Sequence, residues 1–265
     1  MPHLLRLSVK HPPPDGEDVT YPFSVPQIRA IRQLDLNVAV TCFVGENGSG
    51  KSTLLEGIAA AAELPSIGSS QVEHDDTLGP ARSLGSALRL SWTQRSRKGF
   101  FLRAEDFFGS LRARARDDAR ILREVSETSA GVRADEPRAV VVTGSHPDEH
   151  AAGRIVGQYD NRSHGESFMD LFTQRIRPGG LHLLDEPEAP LSPKRQIALL
   201  DIIIRAAKTG AQFIIATHSP ILLACPGARI YSFDEVPITE VEYDELEHVK
   251  VTREFFNDPG KFVGR

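Results

Sequence analysis

Residues Gly45 to Thr53 read Gly-Glu-Asn-Gly-Ser-Gly-Lys-Ser-Thr. Gly45, Gly50, Lys51 and Ser52 occupy the fixed positions of the phosphate-binding pattern G-x-x-x-x-G-K-[ST]. Glycines let backbone N–H groups turn inward around a β-phosphate. Lys51 adds a point charge against the β- and γ-phosphates, and the Ser52 hydroxyl suits Mg²⁺. Glu46, Asn47, Gly48, Ser49 and Thr53 complete the stretch expected to contact a nucleotide. The loop also dictates its surroundings. An apolar run, Val38 to Val44, precedes it as a buried strand should. Lys51 to Leu64 follows, rich in Ala, Leu and Glu and halted by Pro65, and reads as a helix whose N-terminus favours anions.

A chain of 265 residues with 40% hydrophobic and 25% charged content is ordinary for a globular α/β protein with a full core. No apolar run reaches transmembrane length, and Met1-Pro-His-Leu-Leu-Arg6 lacks signal-peptide organisation, so a cytoplasmic protein is expected. Cys42 and Cys225 lie in apolar segments and read as reduced core residues. The net charge of −5 argues against a polycation built for nucleic acid. Charge is uneven, however. Residues 95–123 hold nine basic and four acidic residues, whereas 234–258 hold two basic and nine acidic. Such asymmetry marks either a binding face or two solvated surface elements.

Leu4–Lys10 alternates like a strand, and 66–86 reads as irregular. Ala87–Thr93 and Gly99–Arg103 read as a hairpin. Ala104–Val125 has helical spacing, with Arg112, Arg116, Arg120 and Arg123 on one face. The last hundred residues alternate. Ser167–Arg175 reads as a helix, Leu181–Leu184 as a strand, and Pro193–Lys208 as a helix capped by Ser192. Ala211–Ala216 is then a strand, Pro220–Ala224 a short helix and Ile230–Phe233 a strand. This alternation implies a mostly parallel sheet covered on both faces.

Leu181-His-Leu-Leu-Asp-Glu186 puts two carboxylates at the C-terminal end of an apolar strand. Asp185 suits Mg²⁺, and Glu186 suits a water attacking a γ-phosphate. His218 ends the next strand, where imidazole can hydrogen-bond the γ-phosphate. Ser163 precedes a helix and, with its backbone amides, makes a second anion site. One nucleotide cannot engage both this site and its own phosphate loop, so a head-to-tail dimer sandwiching two ATPs is expected.

Together these motifs resemble the ATP-binding-cassette (ABC) ATPases, in particular soluble heads of the SMC, RecF and SbcC type. Gly45–Thr53 matches the Walker A loop, Leu181–Glu186 matches Walker B with its catalytic glutamate, and His218 matches the switch histidine. Ser163-His-Gly-Glu166 is similar to the signature motif, with His164 in place of its first glycine. Val44–Glu56, Ser163–Phe168 and Thr217–Pro220 are similar to small bacterial stand-alone predicted ATPases. The resemblance implies a single P-loop NTPase domain over 1–265. Its mostly parallel sheet carries an antiparallel β subdomain and a helical insert near 104–175. It implies ATP and Mg²⁺ as ligands, Lys51, Glu186 and His218 as catalytic groups, and Ser163, Gly165 and Glu166 closing on a partner's nucleotide. Ser52, Asp185 and the Q-loop residue Glu105 (or its rival Gln94) would hold the metal. Tyr21 and Phe23 are adenine-stacking candidates or core residues. The head-type motifs favour DNA maintenance or defence as the output. A transporter motor or an ATP-dependent switch on a partner protein are the alternatives.

Overall fold

The computed structural model describes residues 2–10, 19–67, 79–96, 98–106 and 164–263. Its centre is a seven-stranded sheet. Strands β3 (Val40–Val44), β4 (Ser66–Ile67), β6 (Gly99–Arg103), β7 (Leu181–Asp185), β8 (Gln212–Ala216), β9 (Arg229–Ser232) and β10 (Thr239–Val241) run in the order β10-β9-β3-β8-β7-β6-β4. Every pairing is parallel except β10 on β9 at one edge. Three further strands, β1 (Leu4–Val9), β2 (Gln33–Asp35) and β5 (Leu88–Trp92), form a separate antiparallel sheet ordered β2-β1-β5.

Parallel strands covered on both faces must be apolar throughout, and β3, β7 and β8 are buried at every position. Successive side chains enter opposite cores. Val40, Cys42, Val44, Leu184, Phe213 and Ile215 join one cluster with Phe168 and Phe172 of α4 (His164–Arg175). Leu199 and Ile203 of α5 (Pro193–Lys208) complete that side. Phe43, Leu181, Leu183, Ile214 and Ala216 join the other, against Leu54, Leu55 and Ile58 of α2 (Lys51–Ala62). Short α1 (Pro26–Ala30) adds Ile28 to this second core. Cys42 and Cys225 are free and buried. Among the described residues no helix is long and apolar enough to cross a membrane.

Gln212 joins the two sheets. It is fully buried. Its Oε1 accepts from His3 N at 2.9 Å and Leu4 N at 2.8 Å. Its Nε2 donates to the carbonyls of Leu4 (2.8 Å), Leu36 (2.7 Å) and Val38 (3.2 Å). One carboxamide thus satisfies backbone groups at the start of β1 and just before β3. The β1–β5 register shifts between Leu4 and Arg6. That irregularity lets Leu4 and Leu7, three residues apart, both reach the core.

Two sequence expectations fail. Ala87–Thr93 and Gly99–Arg103 do not form a hairpin: β5 pairs antiparallel with β1, whereas β6 pairs parallel with β7 and β4. The burial patterns explain the separation. β6 buries Phe100, Phe101 and Leu102 in succession, as an interior parallel strand does, but Arg89 of β5 is exposed. Residues 66–86 are not irregular throughout, since they contain β4 and most of α3 (Gly79–Ala87). Its small residues serve close packing on α2, and a Cβ on Gly85 would lie 2.9 Å from the Ala60 Cβ. Beyond Asp106 the expected helix over 104–125, with its arginine face, lies outside the described residues. The acidic C-terminal stretch includes an unanticipated helix, α6 (Glu247–Asn257).

Replacing Gln212 by Leu would strand several buried backbone groups, each worth about 1–3 kcal/mol. Gln212→Leu should therefore lower unfolding free energy by roughly 3 kcal/mol or more in urea titrations. A second expectation concerns His182. It is fully buried between Phe100 and Phe213, and burial pushes its pKa from its ordinary 6.5 down to about 4. The unfolded chain takes up a proton that the folded chain refuses, so stability is full above pH 6.5 and falls as pH drops toward 4. Wild type should lose about 2 kcal/mol between roughly pH 7.5 and pH 5 relative to His182→Phe, as measured by urea unfolding.

Candidate functional site

The site is built where β3, β8 and β7 end side by side. Strand β3 runs directly into the loop 45–50, and α2 begins at Lys51. Gly45, Gly48 and Gly50 have φ of 147°, 82° and 99°, conformations that L side chains rarely adopt. At Gly50 space is equally restrictive, because a Cβ would meet Val25 Cγ1 at 2.9 Å. Glu46, Asn47 and Gly48 form the exposed tip, and Ser49 is buried. The Lys51 side chain folds back over this loop. Its Nζ donates to the Gly45 carbonyl at 2.6 Å and to the Glu46 carbonyl at 2.8 Å. Burial lowers its pKa, and Glu186 and Asp185 oppose that shift. An ammonium hydrogen-bonded to two neutral carbonyls can exchange them for phosphate oxygens.

Next to it, Ser52 Oγ donates to Asp185 Oδ1 at 2.9 Å. Asp185 ends β7 and is almost fully buried. Hydroxyl plus carboxylate is a hard, all-oxygen donor set. That fits Mg²⁺, which takes few protein ligands and completes its shell with waters and phosphates.

Glu186 follows with φ of 48°, a left-handed backbone unusual for glutamate. Its own N–H donates to the Ala216 carbonyl at 2.9 Å, which ties the turn to β8. The twist separates the directions of the two carboxylates. Glu186 Oε1 lies 3.8 Å from His218 Nε2, and both side chains are about two-fifths exposed, at 39% and 41%. Burial and then Lys51 lower the His218 pKa, against the pull of Glu186, which favours neutral imidazole.

Sequence reasoning missed three residues here. Glu188 Oε1 accepts from the His218 backbone N–H at 2.7 Å, and burial raises its pKa. Asp234, just beyond β9, accepts from Glu46 N at 2.8 Å and so fixes the loop tip. Arg103 ends β6 and donates to Asp185 Oδ2 at 3.0 Å. In the sequence Asp234 stands out only as part of an acidic run. Nothing local marks the other two, because their partners lie on separate elements.

The remaining expected residues divide. Gly165 and Glu166 fall in the first turn of α4, and Ser163 lies outside the described residues. Glu105 is exposed just after β6, and no hydrogen bond or ion pair joins it to Ser52 or Asp185. Tyr21 is exposed, its hydroxyl 3.0 Å from Thr53 Oγ1, whereas Phe23 packs on the second core.

Two family models match the chain. Residues 27–65, around the phosphate loop, match one described as "AAA domain". Residues 168–224, from α4 through β7 and β8, match one described as "AAA domain, putative AbiEii toxin, Type IV TA system". The chain has the α/β fold of a P-loop nucleotide-binding domain. This rests on the matched segments together with the strand order and the phosphate loop after β3. No curated protein matches the chain. Among solved structures it is similar to the SMC head domain from Thermotoga maritima, at 16% identity, covering 91% of this chain and 99% of that one (TM-score 0.39). It is also similar to CbiO1 from Clostridium perfringens, part of the ABC transporter complex CbiONQ, at 16% identity, covering 97% and 96% (TM-score 0.46). A third is the ADP conformation of MJ1267, an ATP-binding cassette of an ABC transporter, at 16% identity, covering 100% of both chains (TM-score 0.46).

Lys51→Ala removes the one ammonium over the loop without touching the core. It should weaken binding of a fluorescent ATP analogue by about tenfold or more, one buried charge-assisted contact, with the melting temperature of the free protein little changed. Calorimetric titration and thermal melts read the two quantities separately.

Proposed function

We propose that the chain binds ATP with Mg²⁺ and hydrolyses it in a site closed by a second copy arranged head to tail. The observation that carries this reading is convergence. Lys51 and Ser52 of α2, Asp185 and Glu186 at the end of β7, and His218 beyond β8 are far apart in sequence yet meet at the C-terminal ends of three neighbouring strands. In open α/β sheets this edge is where ligands bind.

Lys51 and the loop N–H groups hold the phosphates. Ser52 and Asp185 are the residues that would hold Mg²⁺, which supplies charge neutralisation between the β- and γ-phosphates. Glu186 accepts a proton from the attacking water as the bond between γ-phosphorus and bridging oxygen breaks, and ADP leaves. His218, neutral at its lowered pKa, donates a hydrogen bond toward the γ-phosphate.

The dimer is supported by exposure. Glu186 and His218 face solvent in the single chain, and water would compete for both. A partner presenting Ser163, Gly165 and Glu166 would cover that side. Ser163-His-Gly-Glu166 and Thr217-His-Ser-Pro220 favour a stand-alone head acting on DNA over a transporter motor or a protein switch. The basic residues Arg112, Arg116, Arg120 and Arg123 that would touch DNA lie outside the described residues.

Glu186→Gln keeps the side-chain shape but cannot take the proton. Turnover should fall by about 10²-fold or more, in line with loss of a general base, while ATP binding persists. Light scattering with MgATP should show the variant doubling in mass. A variant that hydrolyses ATP at the wild-type rate, or remains monomeric with ATP bound, would contradict the corresponding half of the proposal.

A further inference from the structure

Arg103 is a cation that none of the motifs predicts. Arg103 and Asp185 are register partners across the parallel β6–β7 pair, so the sheet itself sets them side by side. The guanidinium divides between two carboxylates. Nε donates to Asp185 Oδ2 at 3.0 Å, and a terminal nitrogen pairs with Glu56 on α2. Ser52 takes the other Asp185 oxygen, Oδ1. The Asp185 carboxylate is therefore held at both ends, by a hydroxyl on one side and a guanidinium on the other.

All three charged side chains are withdrawn from water: 29% exposed for Arg103, 18% for Glu56 and 3% for Asp185. Burial works against the Arg103 charge, but Glu56 and Asp185 more than offset it and hold its pKa above the ordinary range. Burial raises the Glu56 carboxyl, and Arg103 opposes that shift.

We infer that Arg103 is a positioning residue for the divalent cation, acting through Asp185 and balanced by Glu56. The inference rests on the ATP reading above. A carboxylate's terminal torsion is broad and roughly two-fold, so an untethered Asp185 would present either oxygen in many orientations. Arg103 fixes the plane and keeps Oδ1 beside the Ser52 hydroxyl, where the metal belongs. Glu56 has an electrostatic part. An unbalanced guanidinium on Asp185 would repel a second cation there. Paired with Glu56, it contributes orientation with little net charge, and Asp185 keeps its charge for Mg²⁺. The planar fork explains arginine at this position, since an ammonium is a point charge and cannot orient two carboxylates at once.

The test separates metal affinity from nucleotide affinity. Binding of a fluorescent ATP analogue is followed while Mg²⁺ is titrated, and again in excess EDTA. In Arg103→Gln the Mg²⁺ midpoint should rise about tenfold, the lower end for outer-shell partners of a metal ligand, while EDTA affinity moves much less. Glu56→Gln, which leaves the guanidinium unbalanced, should raise the midpoint in the same direction. Circular dichroism establishes folding, and if Arg103→Gln does not fold, Arg103→Lys decides, again by a raised midpoint. A folded Arg103 variant whose Mg²⁺ midpoint is unchanged or lowered would overturn the inference and leave the ATP reading intact. Wild-type protein that binds no analogue with or without Mg²⁺ would instead overturn the ATP reading.

Discussion

Strand adjacency governs this molecule. β3, β8 and β7 are neighbours in one parallel sheet, so all three leave the sheet at the same edge. The phosphate loop follows one, His218 another, and the paired carboxylates end the third. Had any pair been antiparallel, one group would sit at the opposite edge, more than a strand's length away. Burial on both faces holds that order in place, because each strand contributes apolar side chains to two separate cores. The chemistry at the edge is thus maintained by packing well away from it.

The phosphate loop, the β7 strand with its acidic end, and His218 were legible because each is a contiguous pattern. Spacing within one element reports local geometry well. What the sequence hid was register between elements. Arg103 meets Asp185 only because β6 pairs with β7, and the separation of β5 from β6 into different sheets was misread as a hairpin turn. Two short strand-like runs a few residues apart satisfy the pattern of a hairpin, and only the differing burial of their faces distinguishes them. The α3 helix was hidden for another reason. Its Gly and Ser residues have poor helical propensity, and contact with α2 overrides it.

The antiparallel sheet is bound to the centre through a polar group in an apolar surrounding. Gln212 occupies a β8 position on the same face as Ile214 and Ala216, two and four residues on, which are core residues. An aliphatic side chain would suit the sheet and fail the backbone groups of β1. Specificity in attaching the small sheet comes from that requirement, since hydrophobic contact alone would tolerate sliding.

Glu188 holds the main chain at His218, while the imidazole remains two-fifths exposed. The residue is consequently a fixed pivot whose partly exposed ring lies beside Glu186. Sensing a phosphate here, as proposed, would demand only rotation about two side-chain bonds, a picosecond-to-nanosecond event, with no loop displacement. On the proposed function, the chain would report arrival or loss of a phosphate far faster than its helices and strands can move. Any slow step in the proposed cycle would then belong to larger bodies, such as the opening and closing of two copies.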